Sequence, residues 1–195
     1  MSLIKDLMNA IQVLPGVGPK TAQRLTFFLL QKDPAGGKHL AETMLQAIDQ
    51  VGECRQCRTL TEHDLCKICN NPDREYSQIC VVESPADIIQ LEAATDFKGK
   101  YFVLHGKLSP IDGMGPEELK LHLLVDMLAK PECHEMIIAT GSTLEGETTA
   151  QYLSHLAEKG GIKASRLAHG VPLGGDLEYI DNSTLAHAFA SRTHL

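Results

Sequence analysis

Apolar positions at helical spacing open the chain. Leu3, Ile4, Leu7, Met8 and Ile11 share one face of a helix that Ser2 is placed to cap, and the pattern predicts its end near Val13. The run Leu14-Pro15-Gly16-Val17-Gly18-Pro19 cannot continue it, because two prolines lack amide donors and two glycines favour a tight turn. Pro19 suits the first position of a second helix, with Ala22, Leu25, Phe28 and Leu29 inward and Lys20 and Arg24 outward. Asp33-Pro34 and Gly36-Gly37 are expected to break the chain again before a third helix carried by Leu40, Met44, Ala47, Ile48 and Val51.

After a cysteine-rich stretch from 54 to 69 the period changes. Short apolar runs at 79–82, 101–104 and 136–139, and a weaker one near 164–168, read as strands. Helical periodicity occupies about 85–94, 116–129 and 147–159 between them. The alternation β-α-β-α-β-α-β predicts an α/β domain with a mostly parallel sheet covered by helices on both faces. No internal repeat or low-complexity linker interrupts it.

Composition bounds this picture. The chain has 195 residues, 43% hydrophobic and 22% charged, which accommodates one full domain plus small modules and argues against disorder, collagen-like repeats and extended coiled coil. No window approaches the roughly 18 consecutive apolar residues of a membrane helix, and residues 1–30 lack the pattern of a signal peptide. The expected setting is therefore cytoplasmic, with no membrane partner. A net charge of -7 argues against nucleic acid as a ligand, yet the charge is unevenly placed: residues 1–40 carry +3 and residues 75–195 carry -8. Such asymmetry predicts a basic binding module attached to an acidic body.

Three constellations carry candidate chemistry. In the first, Gly16 and Gly18 let the backbone approach a ligand and expose amides at the start of the second helix, an anion site beside Thr21, with Lys20 and Arg24 one turn apart on the outer face. This arrangement resembles the helix-hairpin-helix motif, a DNA-binding element without sequence specificity. The alternative is a helical hairpin that only packs against a partner. Gly18-Pro19-Lys20-Thr21 is not the end of a phosphate-binding P-loop, because Pro19 replaces the glycine before the lysine.

In the second, Cys54-x2-Cys57 and Cys66-x2-Cys69 are separated by eight residues, and each pair has the spacing by which two thiolates grip one tetrahedral ion. Two pairs in a short loop suit one structural Zn2+ per chain better than redox chemistry, and four sulfurs leave no open position for catalysis. His63 is unnecessary as a ligand, and Cys80 and Cys133 read as small apolar residues.

In the third, Glu83 follows the first strand of the sheet, before a helix start built by Ser84, Pro85 and Asp87, at the strand end where α/β sheets bind ligands. Thr140-Gly141-Ser142-Thr143-Leu144-Glu145-Gly146-Glu147 follows a later strand and sets a second acidic group on the same edge. Together these resemble the Toprim domain of topoisomerases, bacterial primases and some nucleases. In its catalytic members a glutamate and two aspartates hold magnesium for phosphodiester chemistry. Registered on Glu145-Gly146-Glu147, the aspartate positions hold Gly141 and Thr143. Glu83, Glu145 and Glu147 are thus expected to serve partner docking or weak Mg2+ contact rather than catalysis, the bland alternative being a solvated acidic rim. The turn-rich loop 104–116 lies at the same edge, where His105 is expected to be structural. The stretch 170–181 resembles an acidic nucleotide-binding strand motif only weakly, since no P-loop accompanies it.

A helix-hairpin-helix (1–53), a four-cysteine finger (54–69), a Toprim domain (78–173) and a C-terminal segment (174–195) expected to supply oligomer contacts closely resemble, in this order, the RecR family of bacterial recombination mediators. The specific segments are 14–24, 54–69, 106–116 and Pro172-Leu173-Gly174-Gly175-Asp176-Leu177-Glu178-Tyr179. The resemblance implies a non-catalytic protein of DNA repair that binds single- and double-stranded DNA. It implies action with RecO, and in some settings RecF, to place RecA on single-stranded gaps, assembly as a homodimer or ring-like homotetramer, and a nucleoid-associated cytoplasmic location during repair. The alternative it leaves is a Mg2+-dependent Toprim enzyme, primase-like or nuclease-like. Gly141-Ser142-Thr143 stands where family sequences often carry Asn-Pro-Thr, which puts the local loop shape in question.

Overall fold

The computed structural model describes residues 2–168, 170, 171, 174, 176–190 and 192. The chain divides into two compact units, Met1–Val51 and Gly52–Leu195.

The first unit is three helices, α1 (Leu3–Ile11), α2 (Pro19–Gln31) and α3 (Pro34–Gln50). Ser2 stands at the N-cap of α1 without a side-chain capping bond, and Pro19 opens α2 as the sequence predicts. Between them Gly16 takes a φ of +80°, a left-handed conformation that favours glycine, and Val17 N–H closes the turn on Leu14 O at 3.1 Å. The expected break at Gly36-Gly37 is absent, and α3 begins at Pro34. Asp33 explains the difference: its carboxylate accepts the Gly36 amide at 2.8 Å, and a Cβ on Gly36 would collide with that carboxylate, so the glycine is what lets the cap close. Phe28, expected inward, is half exposed. Among the described residues of this unit only Ala22 and Thr26 are fully buried, and the unit is too thin to enclose a core of its own.

In the second unit, β1 (Gly52–Glu53) and β2 (Leu60–Thr61) form a small antiparallel ribbon that the sequence pattern did not reveal. The four strands expected from the apolar runs follow as β3 (Gln78–Val82), β4 (Lys100–Val103), β5 (Glu135–Ala139) and β6 (Lys163–Arg166), all parallel in the order β4-β3-β5-β6. Helix α4 (Pro85–Ala94) matches its expected bounds, with Asp87 accepting the Ser84 amide at 2.7 Å. Helix α5 (Leu121–Leu128) starts later than expected, because 116–120 form turns and Lys120 is left-handed at φ 51°. Helix α6 (Leu144–Lys159) starts earlier, since the Thr143 hydroxyl accepts the Gly146 amide at 3.2 Å and caps it. A 3-10 turn (Leu177–Tyr179) and α7 (Asn182–Ala190) complete the described chain.

Alternate residues of the sheet feed two cores. Ile79, Val81, Phe102, Leu104, Met136 and Ile138 pack with α5 and α6 on one face. Cys80, Val82, Tyr101 and Val103 pack with Ile88 of α4 on the other. The order of strands reverses at β3, so the crevice at the carboxyl ends of β3 and β5 is the switch point at which such sheets bind ligands.

Strand β4 is an edge, and the cysteine loop covers it. Val103 N–H donates to Cys57 O at 2.9 Å, and the Lys100 ammonium donates to Ile68 O and Cys69 O at 3.3 and 3.1 Å, so both ends of β4 hold a Cys pair. Arg58 is the central tie. Its side chain is buried, and Nη1 donates to Val103 O, Leu104 O and Leu119 O at 3.0, 3.3 and 2.7 Å, while the Glu53 carboxylate lies 3.4 Å from Nε. His105 Nε2 completes the joint at 2.7 Å from Arg58 O, a structural position as expected from the sequence. An Arg58→Met variant leaves three buried carbonyls without their donor, at a cost of about 3 kcal/mol. Thermal unfolding is expected to show this as a midpoint lowered by roughly 6–12 °C at ~2–4 °C per kcal/mol; an unchanged midpoint would remove Arg58 as the tie.

Candidate metal centre and acidic edge

The four cysteines come together in one buried cluster, with all four Sγ atoms within 4.8 Å of one another. Zn–S bonds of about 2.3 Å in a tetrahedron place sulfurs about 3.8 Å apart, so the donor set has the size and chemistry for zinc. Local folding explains the convergence. Arg58 takes a φ of +65° and turns the chain after Cys57, with Arg58 N–H bonded to Cys54 O at 2.9 Å. Backbone amides also face the sulfurs, Cys66 N–H toward Cys54 Sγ at 3.3 Å and Cys69 N–H toward Cys66 Sγ at 3.4 Å. Such bonds favour thiolates. Hydrogen bonding from Cys57, then Cys69, holds the Cys66 thiol far below its ordinary range, whereas bonding among the same sulfurs pushes Cys57 and Cys69 up. One thiolate is stabilised at the expense of its neighbours, and a divalent cation is what allows all four to ionise together. Zinc bound here supplies structure, since its four sulfurs leave no site for substrate. Cys80 and Cys133 are buried apart from the cluster, and burial raises both, Cys80 to about 12, as suits inert core thiols.

The acidic edge is organised differently from the sequence expectation. Glu83 lies at the end of β3, where its Oε1 accepts the Gly141 amide at 2.7 Å and its Oε2 lies 3.3 Å from the Lys107 ammonium. Lys107 also donates to the Thr143 hydroxyl at 3.1 Å. Glu147, on the first turn of α6, faces the Arg166 guanidinium, with Nη2 donating to Oε1 at 2.8 Å. Glu145 is exposed. The three glutamates therefore share an edge without converging: among the described residues the four cysteines are the one group of three or more metal-ligating side chains close enough to hold an ion. Glu83 and Glu147 are each paired with a cation of the chain, Lys107 and Arg166. Sequence reading missed Lys107, Arg166, Arg58 and Lys100, since a single basic residue carries no periodic or spacing signal. A cleft of about 300 Å³ opens beside Glu83, lined by Asp87, Gln90, Thr140 and Gly141.

In the helical unit, Lys20 and Arg24 are exposed on α2, Gly16 and Gly18 are exposed in the turn before it, and Thr21 is half buried. Pro19 at the first helical position has no amide, which leaves the amides of Lys20 and Thr21 as the ones a helix start directs outward. The motif at 172–179 lies partly outside the described residues.

Comparison with known proteins agrees with this division. Residues 4–48 match the family described as RecR, helix-hairpin-helix, residues 51–71 the four-cysteine zinc finger domain of RecR, residues 77–168 the Toprim domain and residues 170–193 the RecR, C-terminal family. The chain is 52% identical over 189 residues to the Recombination protein RecR of Methylococcus capsulatus, covering 97% of this chain and 96% of that protein. It is 51% identical over 193 residues to the Recombination protein RecR of Saccharophagus degradans, covering 99% and 98%.

Metal analysis of the purified chain is expected to return one zinc per chain. Cys66→Ser is expected to lower the zinc content and the unfolding temperature together. Full zinc occupancy in that variant would show that the cluster does not hold the ion.

Proposed function

Because the chain belongs to the RecR family, we propose that it is a non-catalytic, DNA-binding mediator of recombinational repair that acts with RecO, and in some settings RecF, to load RecA on single-stranded gaps. The observation that carries the DNA-binding half is the hairpin of the first unit. A glycine turn opens onto a helix N-terminus, and Lys20 and Arg24 stand exposed one turn apart beside it. Backbone amides and two cations at that spacing suit phosphates of single- or double-stranded DNA, with Gly16, Gly18 and Thr21 permitting the close approach. No base-reading group accompanies them in this turn, in keeping with binding independent of sequence.

Zinc acts here as a clasp for the second unit and takes no part in a reaction. The acidic edge with Glu83, Glu145 and Glu147 is the candidate surface for a basic partner such as RecO. Its net acidity suits docking, and its internal ion pairs give no support to the Mg2+-dependent Toprim enzyme as the rival reading.

The family resemblance implies assembly as a homodimer or a ring-like homotetramer, and two features support that reading. The helical unit leaves Val13 and Phe28 exposed at an apolar groove of about 370 Å³ lined also by Leu7, Ile11, Leu25 and Met44, a surface that a second copy would bury. The C-terminal segment 174–195 exposes Leu177, Tyr179 and Phe189 and is a second candidate contact. Among the described residues no helix is long and apolar enough to cross a membrane, and the proposed location is the cytoplasm, on the nucleoid during repair.

Lys20→Ala with Arg24→Ala is expected to weaken binding to single-stranded DNA. It should also reduce the slope of log affinity against log salt by about 1.4, two phosphate contacts at roughly 0.7 each. Equal affinity and slope in the double variant would remove the hairpin from the DNA contact.

A further inference from the structure

The crevice at the switch point of the sheet holds an ammonium group at the place where a Toprim fold implies a divalent cation. On the register of Glu145-Gly146-Glu147 with the Toprim pattern, Glu83 stands at the glutamate position and Gly141 and Thr143 at the two aspartate positions. A Cβ built on Gly141 would lie 3.5 and 3.8 Å from the two carboxylate oxygens of Glu83 and 3.8 Å from Lys107 Nζ. A carboxylate carried at 141 would thus start beside both Glu83 and the ammonium. Lys107 Nζ itself spans the other two positions, 3.3 Å from Glu83 Oε2 and 3.1 Å from Thr143 Oγ1. Its hydrogen bonds make it a donor to each, whereas a metal needs acceptor oxygens and an ammonium cannot ligate one. Glu147 is engaged by Arg166 and does not turn to the same point.

We propose that Lys107 is a tethered substitute for the divalent cation. Its ammonium neutralises Glu83, bridges to Thr143 and excludes Mg2+ from the edge by charge and by occupancy. With glycine at 141 and threonine at 143 the edge lacks two carboxylate ligands, and the lysine on the loop after β4 lies between Glu83 and Thr143. The edge then keeps its shape without any metal, with Glu83 free to hold the Gly141 amide and so fix the loop that leads into α6.

The test uses the zinc-loaded full chain and Mn2+ as the probe, with bound ion counted by electron paramagnetic resonance. The unaltered chain is expected to bind no Mn2+ that is lost on Glu83→Gln. The aspartates are then restored by Gly141→Asp with Thr143→Asp. The first meets only ordinary van der Waals contact at its Cβ, and the second keeps a good N-cap for α6. In that background Lys107→Met is expected to tighten Mn2+ binding at least tenfold, an added Glu83→Gln to abolish the gain, and Lys120→Met, which removes a lysine paired with Glu53, to leave it unchanged. A Glu83-dependent Mn2+ site in the unaltered chain would overturn the proposal, a measurement that needs no variant of the loop. So would restored aspartates that bind Mn2+ equally well with Lys107 present or absent, or an equal gain from Lys120→Met.

Discussion

The buried guanidinium of Arg58 is the constraint on which the second unit depends. A charge taken out of water must find partners, and here it finds three carbonyl oxygens from the end of β4 and the following loops, the Glu53 carboxylate and the face of Phe102 at 5.6 Å. The three carbonyls lie at the end of β4 and in the loops beyond it, while the residue that reaches them directly follows the first Cys pair. The loop can direct Arg58 there only because the chain turns through a left-handed residue, and the metal cluster is what holds a loop of this size to such a turn. Lys100 makes the reciprocal tie, a residue of the sheet whose ammonium is held by carbonyls of the second Cys pair. A zinc tetrathiolate carries two negative charges, and these two buried cations are its neighbours in the fold. Finger and sheet are therefore one folding problem: the finger lacks an apolar core of its own, and β4 would otherwise present an open edge.

The acidic edge follows another logic. At the carboxyl ends of β3 and β5 the main chain must turn tightly, and a Cβ on Gly146 would collide with Gly141 O, so the α6 start is packed directly on the loop before it. Glu83 holds this loop through the Gly141 amide, and Arg166 crosses from β6 to Glu147. Each acid is thus partly a structural ligand of its own backbone or of a basic side chain. Asp87 and the exposed Glu145 add further acids to this edge, while the carboxylates of Glu83 and Glu147 are held in place.

What the sequence made legible is what period and spacing encode. Alternating apolar runs located the four strands of the main sheet within a residue or two, and the proline and capping residues located α2 and α4, because backbone sterics and orphan amides act locally. The Cys pairs were readable because a tetrahedral ion imposes a fixed spacing. The remainder depended on contacts made across the fold. Arg58 and Lys100 look like any surface base until β4 is brought against the Cys loop, and Lys107 acquires a role only when 83, 107 and 143 meet. Gly36-Gly37 reads as a break by composition, yet Asp33 needs a glycine there to close its cap, so the same residues begin a helix. The ribbon of β1 and β2 has two residues in each strand, too few to produce a period at all.

The net charge of -7 takes its meaning from this division. On the proposed reading the DNA contact is made by residues of the basic N-terminal stretch, while most of the chain's acidity lies on the sheet unit, whose field repels phosphate. With few phosphate contacts per copy, that reading expects a low affinity of one chain for DNA, weakened further by salt. Linking copies changes that arithmetic without any new contact, because a second hairpin held near the same strand binds at a high effective concentration. On the proposed reading, the exposed apolar side chains of the thin helical unit are the surface that such linkage would bury.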